Sequence, residues 1–214
     1  MTGSRRFTDR TEAGERLGEA LRERGTDADI VLAIPRGGLP LGRAVADALD
    51  APLDVVVAKK IGAPGNPEYA VGAVASSGSV WRNEEAFDHH GIDEEYFQRR
   101  REEEAENARR KAERYRDGGP DPDVAGKTVV VVDDGVATGS TVRACLQKLR
   151  DDNAGRIILA VPVGPPETVR ELEEIADEVV CLETPSRFMG VGGFYERFDQ
   201  VSDEEAMGYL GGDS

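Results

Sequence analysis

Two aspartates, Asp133 and Asp134, stand side by side behind four valines in the stretch VVVVDDGVATGST, Val129 to Thr141. A run of valines reads as a buried strand, and in an open α/β sheet ligands bind beyond the carboxyl ends of the strands. The turn that follows, Gly135 to Thr141, contains no lysine. None is needed, because backbone N–H groups in a glycine-containing turn and at a helix N-terminus make an anion site by themselves. Thr138, Ser140 and Thr141 add hydroxyl donors. Two carboxylates facing a phosphate would repel it. They suit an extended ligand instead, one whose phosphate lies in the turn and whose hydroxyls reach the aspartates, as in a sugar phosphate.

Rival readings are weaker. A Walker B strand also ends in acidic residues, but it requires a GxxxxGK[ST] loop, which the chain lacks. An acidic phosphoacceptor pocket needs a further aspartate at another strand end, and Ile34 and Leu182 do not supply one. An Asp-Gly turn that merely ends a strand and starts a helix is the plain alternative.

A second strand end carries IPRGG, Ile34 to Gly38. Its two glycines allow close backbone approach to an anion, and Arg36 supplies a fixed charge with fork geometry. By itself this is also an ordinary strand-to-helix turn. Lys59 and Lys60 follow the strand expected at Leu53–Ala58; a surface pair is the competing reading, stronger for Lys60 than for Lys59. Cys145 and Cys181 belong to no CxxC or Cys/His cluster, so neither a structural zinc site nor a disulfide framework is expected. His89 and His90 read as solvent-exposed residues in a charged stretch.

The elements that must position these residues alternate. A helix is expected over Asp9–Arg24, with Asp9 and Glu12 at capping-box spacing, Leu17 and Leu21 on one face and Gly25 as its stop. Strands are expected at Ile30–Ile34, Leu53–Ala58, Thr128–Val132, Arg156–Val161 and Glu178–Leu182. Helices are expected after Gly38, with Leu41, Val45 and Leu49 in line, and at Asp93–Arg116, Ser140–Arg150 and Glu167–Ile175. The Asp93–Arg116 helix has a thin apolar stripe of Phe97, Ala105, Ala108, Ala112 and Tyr115 and reads as a solvated helix covering one side of the domain. Lys59 to Gly78, punctuated by glycine and proline, reads as a long mobile loop with a short hairpin and a weak strand at Tyr69–Ala75. The aromatic tail closes on a capping box, Ser202 to Glu205, and a short helix. Nearly all-apolar strands alternating with helices predict an α/β fold with an open, mostly parallel sheet flanked by helices.

The net charge of -15 argues against a nucleic-acid backbone as partner, since that binding requires basic patches. Such an acidic excess suits a protein kept soluble at high salt, where self-repulsion is screened, and a halophilic source is one reading of it. No apolar segment approaches the ~20 residues of a membrane span. The segment MTGSRRFTDR has two arginines with no apolar run behind them, so no signal peptide and a cytoplasmic location are expected.

VVVVDDGVATGST resembles the phosphoribosyl pyrophosphate (PRPP) motif of the type I phosphoribosyltransferases: hydrophobic strand, two acidic residues, two variable positions, then A-T-G-x-T. The resemblance implies that Asp133 and Asp134 hold the ribose 2- and 3-hydroxyls. Gly135, Ala137, Thr138, Gly139, Ser140 and Thr141 would cradle the 5-phosphate. Ile34–Gly38 resembles the pyrophosphate loop, with Arg36, Gly37 and Gly38 as contacts and a non-proline cis peptide expected at Arg36–Gly37 or Gly37–Gly38. Lys59 would reach the pyrophosphate or its magnesium-bound oxygens, and the loop through Tyr69 would be a lid. Mg2+ would be held mainly through PRPP, with Asp133 and Asp134 as further ligands.

The family implies one domain over residues 1–214, with its core at about 26–182, the N-terminal helix at about 9–24 and a small C-terminal hood at about 183–212. The hood segment RFMGVGGFYERFDQVSDEE resembles a group of phosphoribosyltransferases with a V-G-x-W-Y-like segment before a D-F-x-Q-V-S-D-E-E ending. Phe194 here stands for the usual tryptophan and Arg197 for the usual acid. Phe188, Phe194 and Tyr195 would then meet the base, while core packing accounts equally well for Phe188, Phe194 and Phe198. Ala137 stands where hypoxanthine–guanine enzymes carry an acid, which argues against a 6-oxopurine. The expected partners are PRPP and a small nitrogen acceptor, with no nucleic acid, no membrane and a homodimer left open. Arg36, Lys59, Asp133 and Asp134 would carry catalysis. A PRPP sensor without catalysis, or a hydrolase using water as acceptor, are the alternatives.

Overall fold

The computed structural model describes residues 7–211. The readings of residues 1–6, of residues 212–214 at the end of the hood and of the His90 side chain fall outside the described positions. Asp9 caps the first helix, α1 (Arg10–Glu23), by accepting from the Glu12 N–H at 3.0 Å, while Glu12 accepts from the Thr8 N–H at 2.6 Å. Chain order continues through β1 (Ile30–Ala33), α2 (Gly38–Leu49), β2 (Leu53–Val55), β3 (Ala58–Ala63), β4 (Asn66–Ala75), β5 (Val80–Arg82), α3 (Glu84–His90) and α4 (Glu94–Tyr115). Then come β6 (Thr128–Val132), α5 (Ser140–Asp151), β7 (Arg156–Val163), α6 (Pro166–Glu173), β8 (Glu178–Glu183), a 3-10 turn at Val191–Phe194 and α7 (Asp203–Gly208).

The main sheet runs β2-β1-β6-β7-β8 with every neighbouring pair parallel. Its valine strand divides by the period of two that strands impose. Val129 and Val131 face a core with Leu146 and Leu149 of α5, while Val130 and Val132 face the other core with Leu17 of α1 and Leu41 of α2. Each such buried aliphatic side chain contributes about 1.5–3 kcal/mol. After β1 the chain crosses outward to β2, and after β6 it crosses the opposite way to β7. The loops behind β1 and β6 therefore part from each other, and the crevice between them is where ligands bind in such sheets.

The segment expected to be a long mobile loop with a short hairpin is a second sheet, antiparallel in the order β3-β4-β5; the strand expected at Tyr69–Ala75 lies within β4, and the loop around it is strand as well. The strand expected at Leu53–Ala58 accordingly stops at Val55, and Ala58 opens β3. Its glycines had read as punctuation, yet Gly72 lies in mid-strand because a Cβ there would come within 2.7 Å of the Trp81 carbonyl and 2.9 Å of the Phe97 ring. Small residues at Ala73 and Ala75 let this sheet pack over α5 in the same core as Val142 and Cys145. The α4 stripe of Phe97, Ala105, Ala108, Ala112 and Tyr115 is buried, as its spacing predicts. Among the described residues no helix is long and apolar enough to cross a membrane.

Candidate functional site

The parallel register pairs Ala33 with Val132, so Ile34–Gly38 leaves the sheet beside Asp133 and Asp134. The contact is close. A Cβ on Gly37 would lie 2.0 Å from Asp134 Oδ2, and one on Gly38 would lie 2.6 Å from the Val132 carbonyl oxygen. The non-proline cis peptide is at Pro35–Arg36, one or two bonds earlier than expected. The Gly38 N–H donates to the Ile34 carbonyl at 3.0 Å as α2 begins. Of the two expected amide donors, Gly38 is thus engaged within its own turn.

Behind β6 the loop folds into the expected turn. Gly139, at φ 73, is the N-cap of α5, and Thr138 Oγ1 and Ser140 Oγ lie 3.1 Å apart. The Ala137 carbonyl accepts from Thr168 Oγ1 at 2.9 Å. Asp133 and the turn from Gly135 to Val142 line a cavity of about 170 Å³, closed by Val191 and Lys60. Lys59 lines a different cavity, with Arg36. The sequence reading favoured Lys59 over Lys60, but neighbouring residues on one strand face opposite ways. Once Ala58–Ala63 is a strand, the two lysines must serve different cavities.

Arg10, which sequence reasoning missed, holds one member of the acidic pair. Its Nε donates to Asp134 Oδ2 at 2.9 Å, its Nη1 donates to the Asp199 carbonyl at 2.7 Å, and its guanidinium lies 3.8 Å from the centre of the Phe198 ring. Nothing in the sequence signals a partner 124 residues away. Burial and the neighbouring Asp134 charge push the Asp133 carboxyl well above the usual carboxylate range. Burial raises Asp134 as well, and Arg10 pulls it partly back. Arg10→Gln should therefore move the Asp134 titration further upward, read by NMR of the carboxyl carbon. It should also destabilise the fold at pH 7 by about 3 kcal/mol, the cost of stranding one member of a poorly hydrated ion pair. Arg16→Gln, whose contact with Glu12 is 3.8 Å long and more exposed, is the reference variant.

The hood aromatics are anchored rather than open. Phe194 and Tyr195 are 8% and 5% exposed and pack in the α1–α2 core with Phe7. Tyr195 donates its hydroxyl to the Asp134 carbonyl at 2.7 Å, and Phe188 stacks on Phe194 with ring centres 5.5 Å apart. Core packing thus accounts for Phe194 and Tyr195, and of the expected trio Phe188 is the one that is only partly buried. His89 is exposed. The Cys145 thiol is buried and held above its usual range by that burial. No cluster of three or more metal-ligating side chains occurs among the described residues.

A parallel sheet whose reversal point carries a glycine-and-hydroxyl turn at a helix N-terminus has the anion-binding arrangement of open α/β proteins, and here two carboxylates stand at its threshold. The chain belongs to the phosphoribosyl transferase domain family, whose model matches residues 10–197. It is 40% identical over 204 residues to a Mycobacterium tuberculosis protein named "Putative phosphoribosyl transferase Rv0571c", covering 95% of this chain and 46% of that one. The chain thus spans about half the length of that curated relative. The crystal structure of TT1426 from Thermus thermophilus superposes with a TM-score of 0.82 at 42% identity, over 96% of this chain and 97% of that one. The AQ2163 protein from Aquifex aeolicus shares the fold at 17% identity, with a TM-score of 0.52 over 86% of this chain and 78% of that one.

Proposed function

We propose that the protein is a magnesium-dependent phosphoribosyltransferase. It moves the 5-phosphoribosyl group of PRPP to a nitrogen of a small acceptor, of nucleobase class, and releases pyrophosphate. One observation carries this reading: the acidic pair lies between the Gly135–Val142 turn on one side and the Arg36–Gly37 turn on the other. An extended ligand with a phosphate at each end and a dihydroxy ring between them matches that order.

In this reading the bond from C1 of the ribose to the pyrophosphate oxygen breaks and a bond from C1 to the acceptor nitrogen forms. The oxygen keeps the electron pair, and the nitrogen gives up its proton to solvent. Asp133 and Asp134 accept hydrogen bonds from the ribose hydroxyls and favour positive charge on the ring. Arg36 and the Gly37 amide stabilise the leaving group, a matter of position and electrostatics rather than of a covalent nucleophile. Magnesium keeps several waters and takes one or two carboxylates plus substrate phosphates. Two carboxylates, one of them shared with Arg10, are a donor set of that kind, so Asp133 and Asp134 would complete a metal held mainly by PRPP. The metal would neutralise diphosphate charge.

The experiment is a screen of nucleobases and small amides for PRPP-dependent pyrophosphate release in the presence of magnesium. At least one acceptor should raise release well above the acceptor-free rate. Tight PRPP binding with no release for any acceptor would overturn the transferase reading in favour of a PRPP sensor, and equal release without acceptor would favour a hydrolase.

A further inference from the structure

A cavity of about 520 Å³ on this acidic molecule gathers five cationic side chains, Arg36 and Lys59 with Arg110, Lys111 and Arg114 of α4. Sequence reasoning gave α4 only a covering role. Lys111 stands at the edge of its buried stripe, beside Ala112, and reaches across to donate its Nζ to the Pro35 carbonyl at 3.1 Å. That carbonyl belongs to the peptide that delivers Arg36. One carboxylate, Asp203 of α7, shares the lining. It is already taken by Arg114 at 2.9 Å and the Tyr115 hydroxyl at 3.0 Å, with Arg36 at 3.8 Å. Arg110 lies 3.8 Å from Glu106. Lys59 and Lys111 have no carboxylate within ion-pair distance among the described residues. Cations gathered in this way favour an anion of more than one charge with several oxygens, and a diphosphate has both.

We propose that α4 supplies the cationic half of the pyrophosphate site: Lys111, with Lys59 and Arg36, holds the diphosphate end of PRPP and the released pyrophosphate. The proposal rests on the phosphoribosyl reading above and assigns to it a helix outside the motifs that define that reading. Burial and then the charge of Lys59 lower the Lys111 amine to about 8, with Arg36 acting in the same direction and Asp203 and Asp133 opposing it. Arg110 and Arg114 on the same helix add to the positive side. A bound diphosphate reverses the balance. Near pH 8 the ligand-free protein holds Lys111 partly deprotonated, and binding draws a fraction of a proton from solvent.

The test is calorimetry with magnesium pyrophosphate at pH 8 in two buffers of different ionisation enthalpy, run beside ribose 5-phosphate. Wild type should take up protons with pyrophosphate. Lys111→Gln should bind pyrophosphate at least tenfold more weakly and lose that uptake, with ribose 5-phosphate affinity unchanged. Lys111→Arg should keep the affinity and lose the proton uptake, a separation that a purely structural lysine would not produce. Unchanged pyrophosphate affinity in Lys111→Gln, or equal loss of both ligands, would overturn the proposal. If wild type binds pyrophosphate through Lys111 but does not bind ribose 5-phosphate, the cavity remains a pyrophosphate seat and the phosphoribosyl reading fails instead.

Discussion

Asp133→Asn should make the ligand-free protein more stable at pH 7 and PRPP binding weaker by about ten- to a hundredfold, the range expected for losing a hydrogen bond to a charged group. The two effects share one cause. Burial, and then the Asp134 charge, hold the Asp133 carboxyl well above its ordinary range, so the folded chain binds that proton more tightly than the unfolded chain does. Stability is therefore greatest below the unfolded pKa and is lost as pH rises through the elevated folded one. Asparagine carries no charge and escapes this loss. It also keeps the oxygen that accepts from the Asp134 N–H at 2.9 Å. Thermal unfolding followed from pH 4 to pH 8 should show the advantage of Asp133→Asn shrinking as pH falls. An advantage independent of pH, or a variant less stable than wild type at pH 7, would refute the assignment. Asp134→Asn should behave differently, because it leaves Arg10 without its carboxylate.

The second large effect belongs to Gly38→Ala. The new Cβ would meet the Val132 carbonyl oxygen at 2.6 Å and the Asp133 Cα at 3.2 Å. Both are backbone, so no side chain can swing aside, and the start of α2 must move away from the end of β6. Overpacking of this kind costs about 2 kcal/mol, or about 4–8 °C in Tm for a chain of this size. The displacement falls on the joint between the Arg36 turn and the acidic pair, so PRPP turnover should drop more than stability alone explains. Gly208→Ala, where nothing lies within 4 Å of the added Cβ, is the control. Equal Tm values for the two variants would show that the close approach has no energetic weight.

The parallel sheet and its strand-end motifs were legible because they rest on local signals. The valine run, the caps at Asp9 and Ser202 and the stripe on α4 each follow from spacing alone, and each holds. Of the sheet of β3, β4 and β5 only the hairpin and the strand at Tyr69–Ala75 were legible. Glycine and alanine serve there as small residues at close contacts, and in a sequence they look the same as loop punctuation. Arg10 and Lys111 were hidden for another reason. Each acts on a backbone or carboxyl group far away in the chain, Asp134 in one case and Pro35 in the other, and such pairings leave no period to read. The division of labour between Lys59 and Lys60 became readable only once their segment was known to be a strand.

Near the acidic pair the segment before α1 is fastened to the one before α7. Phe7 donates to the Phe194 carbonyl at 2.7 Å and accepts from the Glu196 N–H at 2.8 Å, while Arg10 joins Asp134 to Asp199. A ligand that draws on Asp134 therefore changes the strength of this clasp. By the reciprocity of linked equilibria, the clasp changes that ligand's affinity by the same factor. Fastening Arg10 and occupying Asp134 thus carry one coupling free energy, felt at two places in the molecule.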